Sequence, residues 1–273
     1  TGTDLGIAYP IHRVLRMTQR MKKIGVILLS GGLDSTTVAA YAKNHGYQLI
    51  AVTFHYGQKH KKEVESATKV AKALGIKQQV IDISFFKELA WYSALTNSQN
   101  FAIPQQRDTE LMAKEIPVTY VPLRNTFFIT LAASFLESEV LDLIERGKVP
   151  PSDLDASIFI AANAIDYSGY PDCRPEYYRA MTRSLFLGSK LGAQYGKQIN
   201  IRTPIILKTK ANIVKLAFEL KAPIEYTWSC YEGGDLPCGK CDSCILRARG
   251  FAEAGYEDPA VASHGRKRIA KSK

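Results

Sequence analysis

Apolar runs that alternate with helical segments, each unit closed by a glycine, constrain the N-terminal part of this chain more than any other feature. Residues 23–29 (KIGVILL) are aliphatic and β-branched with little alternation, as in a strand buried on both faces of a parallel sheet. Residues 34–45 read as a helix, and Gly46 lies just past its end. The unit then repeats. Residues 48–54 are strand-like. Residues 60–74 place Val64, Ala67, Val70 or Ala71, and Leu74 on one helical face. Gly75 closes that helix, and residues 79–83 form the next strand. Strand–helix–strand–helix–strand with short connections predicts an α/β fold with parallel pairing and right-handed crossovers. Residues 84–118 are polar and irregular, broken by Pro104, and read as a mobile loop over a site. Beyond them the pattern predicts a helix over 126–144, a surface loop over 145–155, a fourth strand over 156–162, and helices over 176–195 and 210–221. There are no internal repeats, and no low-complexity tract apart from a basic tail.

The chain has 273 residues, of which 46% are hydrophobic, enough for a sizeable core in one or two domains. No apolar run reaches the eighteen or so residues that read as a membrane span. Arg13, Arg16 and Arg20 interrupt any N-terminal apolar region, so a signal peptide is not expected, and Met17 and Met21 are candidate starts. Residues 1–20 are therefore read as an extension outside the fold. The net charge is +10, but residues 1–20 carry +2 and residues 264–273 carry +5, which leaves +3 for the middle. The charge thus sits at the ends, where it reads as solvated, and argues against direct binding of tRNA. Cys173 stands alone, while Cys230, Cys238, Cys241 and Cys244 cluster. This pattern points to a reducing, cytoplasmic setting and a metal rather than a disulfide framework.

Ligands of such sheets bind beyond the carboxyl ends of the strands, where helices begin. The segment LLSGGLDSTTVA (28–39) lies at that place after the first strand. Gly31 and Gly32 let the backbone approach a ligand closely. Asp34 or Ser35 can start the helix, and its first N–H groups face an anion. Ser30, Ser35, Thr36 and Thr37 add hydroxyls. The stretch Leu29, Ser30, Gly31, Gly32, Leu33, Asp34, Ser35 and Thr36 is therefore the expected phosphate cradle. It lacks G-x-x-x-x-G-K-[ST] and so is not the P-loop of kinases and GTPases.

The order S-G-G-x-D-S resembles the PP-loop of ATP pyrophosphatases, enzymes that cleave ATP between the α and β phosphates. Three further stretches fall at the expected mouth of the site: FHYGQKH (54–60), RNT (124–126) and NAIDYSGYPDCRPEY (163–177). Together with WSCYEGGDLPCGKCDSC (228–244), they resemble the 7-cyano-7-deazaguanine synthase family of queuosine-precursor biosynthesis over roughly residues 22–256. The resemblance departs at His55, where the family usually has Asp, and at Leu123, where it usually has Gly. The loop around 145–155 is longer than usual.

The resemblance implies a PP-loop ATP pyrophosphatase fold (adenine nucleotide alpha hydrolase-like) with a small C-terminal zinc-binding lobe. The expected division is a nucleotide-binding domain over 21–225, a four-cysteine lobe over 226–260 and a basic tail over 261–273. It also implies adenylation of 7-carboxy-7-deazaguanine by ATP with Mg²⁺, attack by ammonia to give an amide, then a second adenylation and elimination to the nitrile. Ser30, Gly31, Gly32, Asp34 and Ser35 would hold the phosphates, with Asp34, Ser35 and Arg124 as the catalytic set. Lys59, His60, Lys62 and Arg124 are candidate charge partners. No covalent nucleophile is needed, because positioning and electrostatics suffice. For the base, Asp166 or Asp172 could accept a bidentate pair from the guanine edge, Tyr167 and Tyr170 could stack on the ring, and Arg174 could meet the carboxylate.

Four thiolates in a short glycine-bearing loop suit a closed, structural Zn²⁺ site. Iron–sulfur ligation is the alternative that also uses four cysteines. The resemblance implies one zinc per chain. Cys173 reads as a small residue lining the pocket. Two rival functions remain open: a PP-loop enzyme acting directly on tRNA, and a non-catalytic zinc module binding nucleic acid. The spacer YEGGDLP between the first two cysteines holds two acids and no base, which weighs against the second. The oligomeric state is left open, a homodimer being one option.

Overall fold

A computed structural model of the chain describes residues 21–56, 62–97, 99–106, 116–165 and 170–262. Five parallel strands form one sheet: β1 (Lys22–Leu28), β2 (Gln48–His55), β3 (Lys77–Asp82), β4 (Leu154–Phe159) and β5 (Ile199–Arg202), in the order β3-β2-β1-β4-β5. Successive side chains of β1 serve opposite faces of the sheet. Ile24, Val26 and Leu28 join one core, and Ile27 and Leu29 join the other. Both faces are covered, which explains why the run is apolar without alternation.

One face carries α3 (Phe86–Leu89), α4 (Arg124–Glu145), α5 (Pro175–Gly188) and α6 (Lys190–Tyr195). The other carries α1 (Leu33–Asn44), α2 (Lys62–Leu74), α7 (Lys210–Glu219) and α8 (Asp242–Ala254). The chain runs from β1 outward through β2 to β3, then returns to place β4 on the other side of β1. The reversal opens a crevice at the carboxyl ends of β1 and β4. Among the described residues, no helix is long and apolar enough to cross a membrane.

The parallel α/β architecture is the expected one, with three corrections in detail. The fifth strand is not anticipated. It is four residues long and alternates isoleucine with Asn200 and Arg202, so its pattern is weak. The helix expected over 176–195 is two helices. It breaks after Gly188, and Ser189 caps the second piece by accepting from the Gly192 amide at 3.0 Å. The cysteine segment also feeds directly into a helix, α8, whose N-cap is Cys241. The loop expected over 145–155 is exposed at Lys148 and ends in a single turn, Pro151–Asp153, before β4.

Candidate functional site

The cradle forms where β1 hands over to α1. Gly31 has φ +81°, a left-handed value, and a Cβ there would lie 2.5 Å from the Ala67 amide nitrogen and from the Glu63 carbonyl oxygen. Only glycine fits, because both neighbours are α2 backbone. The Gly31 carbonyl accepts from the Trp228 amide at 2.9 Å, so the segment leading to the cysteines straps the cradle. The first α1 bond runs from the Thr36 amide to the Gly32 carbonyl at 3.1 Å. The amides of Leu33, Asp34 and Ser35 therefore have no acceptor within the helix and are the ones available to an anion. The Ser30 and Ser35 hydroxyls lie 3.0 Å apart, and Ser35 also donates to the Gly32 carbonyl at 3.2 Å.

Two adjoining cavities open on this turn. One, of about 230 Å³, lies over the cradle, where Gly32, Asp34, Lys210 and Arg247 line it. The other, of about 280 Å³, extends over β4 to Asn163, Tyr170 and Cys173, with Tyr56, Asn125, Phe128 and Ile103 around it. Ser30, Asp34, Ser35, Glu63, Arg124 and Tyr231 line both. A larger apolar cavity of about 690 Å³ lies behind the cysteine lobe, among Phe251 and Val261, and shares Trp228, Ser229 and Arg247 with the wall of the cradle cavity.

Charge in the double cavity is arranged in layers. Asp34 is held by Lys210, Nζ to Oδ2 2.7 Å, with both side chains largely shielded. Arg124, the first residue of α4, sits among Tyr56, Tyr170, Asp172 and Tyr231. Burial pulls its pKa down, but these neighbours outweigh that and hold it above its ordinary value, so it is a permanent cation. Burial pushes the Tyr56 phenol up to about 12, against the opposing pull of Arg124. Burial also raises the Glu63 carboxyl to about 7, with Arg124 pulling the other way. Desolvation raises Asp172 too, opposed by Arg124 and by hydrogen bonds from Asn125. The Cys173 thiol is pushed up to about 12 by burial and Asp172, so it stays protonated and unreactive at neutral pH.

The residues expected from sequence fall into four groups: those that line the cavities, those buried behind them, those turned away, and those outside the described residues. Ser30, Gly32, Leu33, Asp34, Ser35, Arg124 and Tyr170 line the double cavity. Leu29 and Thr36 are buried behind it: the Leu29 carbonyl accepts from Thr53 at 2.8 Å, and the Thr36 hydroxyl is enclosed in α1. Asp172 is buried one residue behind the lining Cys173, where its carbonyl accepts from Tyr178 at 2.7 Å. Arg174 is exposed at the start of α5 and does not line either cavity. Lys62 turns toward the cysteine lobe, over the Trp228 ring at 4.5 Å and 3.8 Å from Asp235. Asp166, Tyr167, Lys59 and His60 lie outside the described residues. Sequence reasoning misses Glu63, Lys210 and Arg247, which belong to no motif that marks them, and Tyr231, which lies inside the cysteine segment but reads there only as spacer.

The four cysteines converge as their spacing suggests. The Sγ atoms of Cys230, Cys238, Cys241 and Cys244 all lie within 4.8 Å of one another, and those of Cys238 and Cys244 are 4.0 Å apart. Zinc–thiolate bonds of about 2.3 Å in a tetrahedron require sulfurs about 3.8 Å apart. The backbone supplies the charge compensation that thiolates need. The Cys238 amide donates to Cys230 Sγ at 3.3 Å, and the Lys240 and Cys241 amides donate to Cys238 Sγ at 3.4 and 3.3 Å. Gly239, at φ +69°, makes the tight turn that aims those amides inward. The donor set therefore fits a closed metal site. Arg247 ties this lobe down, with bonds of 2.6 and 2.9 Å to Asp258 and 3.0 Å to Ser229.

Comparison with known proteins gives a consistent result. The family described as queuosine biosynthesis protein QueC matches residues 24–255. The 7-cyano-7-deazaguanine synthase of Thermoplasma acidophilum is 47% identical over 238 residues, spanning 87% of this chain and 91% of the relative. That of Picrophilus torridus is 47% identical over 240 residues, 85% and 91% of the two chains. That of a Nostoc species is 45% identical over 234 residues, 86% and 95% of the two chains.

Proposed function

The chain belongs to the QueC family of queuosine biosynthesis proteins and is a ligase that forms a carbon–nitrogen bond, and we propose that it converts 7-carboxy-7-deazaguanine and ammonia to 7-cyano-7-deazaguanine at the expense of ATP. The observation that carries this reading is the double cavity. A nucleotide on the cradle and a planar base beside Tyr170 would share one continuous space, with Arg124 between them. A carboxylate is a poor electrophile, and transfer of AMP to it creates a leaving group. The α1 amides, Lys210 and Arg124 would take up the charge of the departing pyrophosphate. Ammonia then displaces AMP to give the amide, and a second adenylation on the amide oxygen permits elimination to the nitrile.

Mg²⁺ would accompany ATP, with Asp34 as the residue to hold it, and when bound it would neutralise phosphate charge. Zn²⁺ would occupy the four-cysteine site as a structural ion. The ATP-binding stretch is Leu29–Thr36, with Leu29 and Thr36 acting through the backbone that shapes the turn. We keep Asp34, Ser35 and Arg124 as the catalytic set.

Base recognition is assigned to Asp166 or Asp172, with Tyr167 and Tyr170 against the ring and Arg174 near the substrate carboxylate. Burial of Asp172 beside Arg124 supports its part in this set. Asp172→Asn should weaken selection of the deazaguanine by about 1–3 kcal/mol, because one buried donor loses its acceptor. Its affinity for ATP, measured separately by calorimetry, should be nearly unchanged. Incubation with ATP, ammonium and 7-carboxy-7-deazaguanine, followed by mass spectrometry, tests the reaction: the nitrile should form, and its absence would refute the reading.

A further inference from the structure

Among the described residues, the Glu63 carboxyl is the one acidic group lining the double cavity that the reaction above leaves without a task. It stands in the first turn of α2, and its own carbonyl is one of the two backbone groups that fix Gly31. The cradle and Glu63 are thus positioned by the same contact. Among the described residues its side chain has neither a hydrogen bond nor an ion pair, in contrast to Asp34, which Lys210 holds. It lines both cavities, as do Arg124 of α4, Asp34 and Tyr231, while Tyr56, just after β2, and Tyr170 line the larger of the two and Lys210 of α7 the smaller. The carboxyl is partly buried on this wall, where the Arg124 charge opposes the desolvation that raises it.

Resting on the proposed reaction, we infer that Glu63 is the proton acceptor of its two carbon–nitrogen steps. In the first, ammonium gives one proton to the Glu63 carboxylate, the ammonia so formed attacks the acyl carbon, its nitrogen loses a second proton to the departing phosphate, and the acyl–oxygen bond to AMP breaks with its electron pair leaving on AMP. In the second, the adenylated amide loses its N–H proton to Glu63 as the carbon–oxygen bond to AMP breaks, leaving the carbon–nitrogen triple bond. Glu63 takes one proton in each step, the second proton of the first step leaves with AMP, and no oxidant or reductant is needed. A carboxyl held near neutrality is matched to both, since it can take the proton and return it to solvent between steps.

The test uses Glu63→Gln in the full chain, with ammonium and hydroxylamine as alternative nucleophiles. Hydroxylamine is largely unprotonated at neutral pH and needs no base to become nucleophilic. In the variant, substrate-dependent exchange of pyrophosphate into ATP and trapping of the adenylate as the hydroxamate should be retained. Nitrile formation from ammonium should fall by about 10²–10⁴-fold. The residual rate should climb with pH as free ammonia increases, without the break near neutrality expected of the native enzyme. Glu63→Asp should recover part of the loss. Nitrile formation at the native rate, or equal loss of exchange, hydroxamate and nitrile, would overturn the assignment. Failure of the native enzyme to form the hydroxamate would instead refute the proposed reaction beneath it.

Discussion

At the scale of single residues, the cradle depends on what Gly31 lacks. Gly31→Ala would put a methyl group against the Ala67 and Glu63 backbone at a left-handed φ, and neither neighbour can rotate away. The variant should lose roughly 1–3 kcal/mol from strain and overpacking, with ATP binding reduced further, as thermal melts with and without ATP would show. Glu63 makes a stability statement of opposite kind. Its folded-state pKa of about 7 lies above the ordinary 4.5, so between those values the native state binds more protons than the unfolded chain. Stability from this group is therefore present below pH 4.5 and declines as pH rises toward 7. Glu63→Gln should gain Tm at pH 8 relative to the native protein, and should gain much less at pH 4.5. A gain independent of pH would show that the carboxyl is not held neutral. The glycines, serines and Asp34 were legible in sequence because the turn they make is local. Glu63 and Lys210 were not, because residue 63 reaches the cradle only when α2 packs beneath it, and residue 210 only when α7 crosses it 176 positions later.

At the scale of elements, α8 couples the cysteine lobe to the site. Cys241 is its N-cap and Cys244 lies in its first turn, so a metal on the four sulfurs would also pin the start of the helix. Further along, a Cβ at Gly250 would lie 2.2 Å from Lys210 Cγ, and Phe251 enters the core shared by α1, α2 and α7. The orientation of Lys210 thus depends on the seating of α8. Cys241→Ala leaves three thiolates for one ion and should lower zinc content from about one per chain, lower Tm and weaken turnover together. Elemental analysis that finds iron in the native protein would replace zinc by the iron–sulfur alternative. The cysteine spacing announced this centre plainly, whereas α8 was hidden because the same residues read as a metal-wrapping loop. Strand β5 escaped for a related reason: its identity comes from pairing with β4, not from its own short pattern. The strong signals, β1 and β2 with α1 and α2, survive because the strands are apolar and each helix is closed by a glycine, whereas β3 is polar and owes its place to pairing with β2.

At the scale of the whole molecule, the sheet order places β1 at the centre with the cradle at its carboxyl end, and the cysteine segment is bound over it through Trp228 and Gly31. The proposed division into a nucleotide-binding domain and a smaller lobe keeps both in one working unit. Most of the +10 charge falls outside that unit, at the ends. Removal of residues 266–273 should leave turnover of the free base unchanged, and gel shift with tRNA at physiological salt should detect no specific complex. A large loss on truncation would favour action on tRNA instead. The central claim is that this cradle transfers AMP twice to one substrate, and isotope transfer tests it most directly. With 7-carboxy-7-deazaguanine carrying ¹⁸O in both carboxylate oxygens, mass spectrometry should find two AMP formed per nitrile, each bearing one ¹⁸O atom. Unlabelled AMP, or ADP as the main nucleotide product, would contradict it.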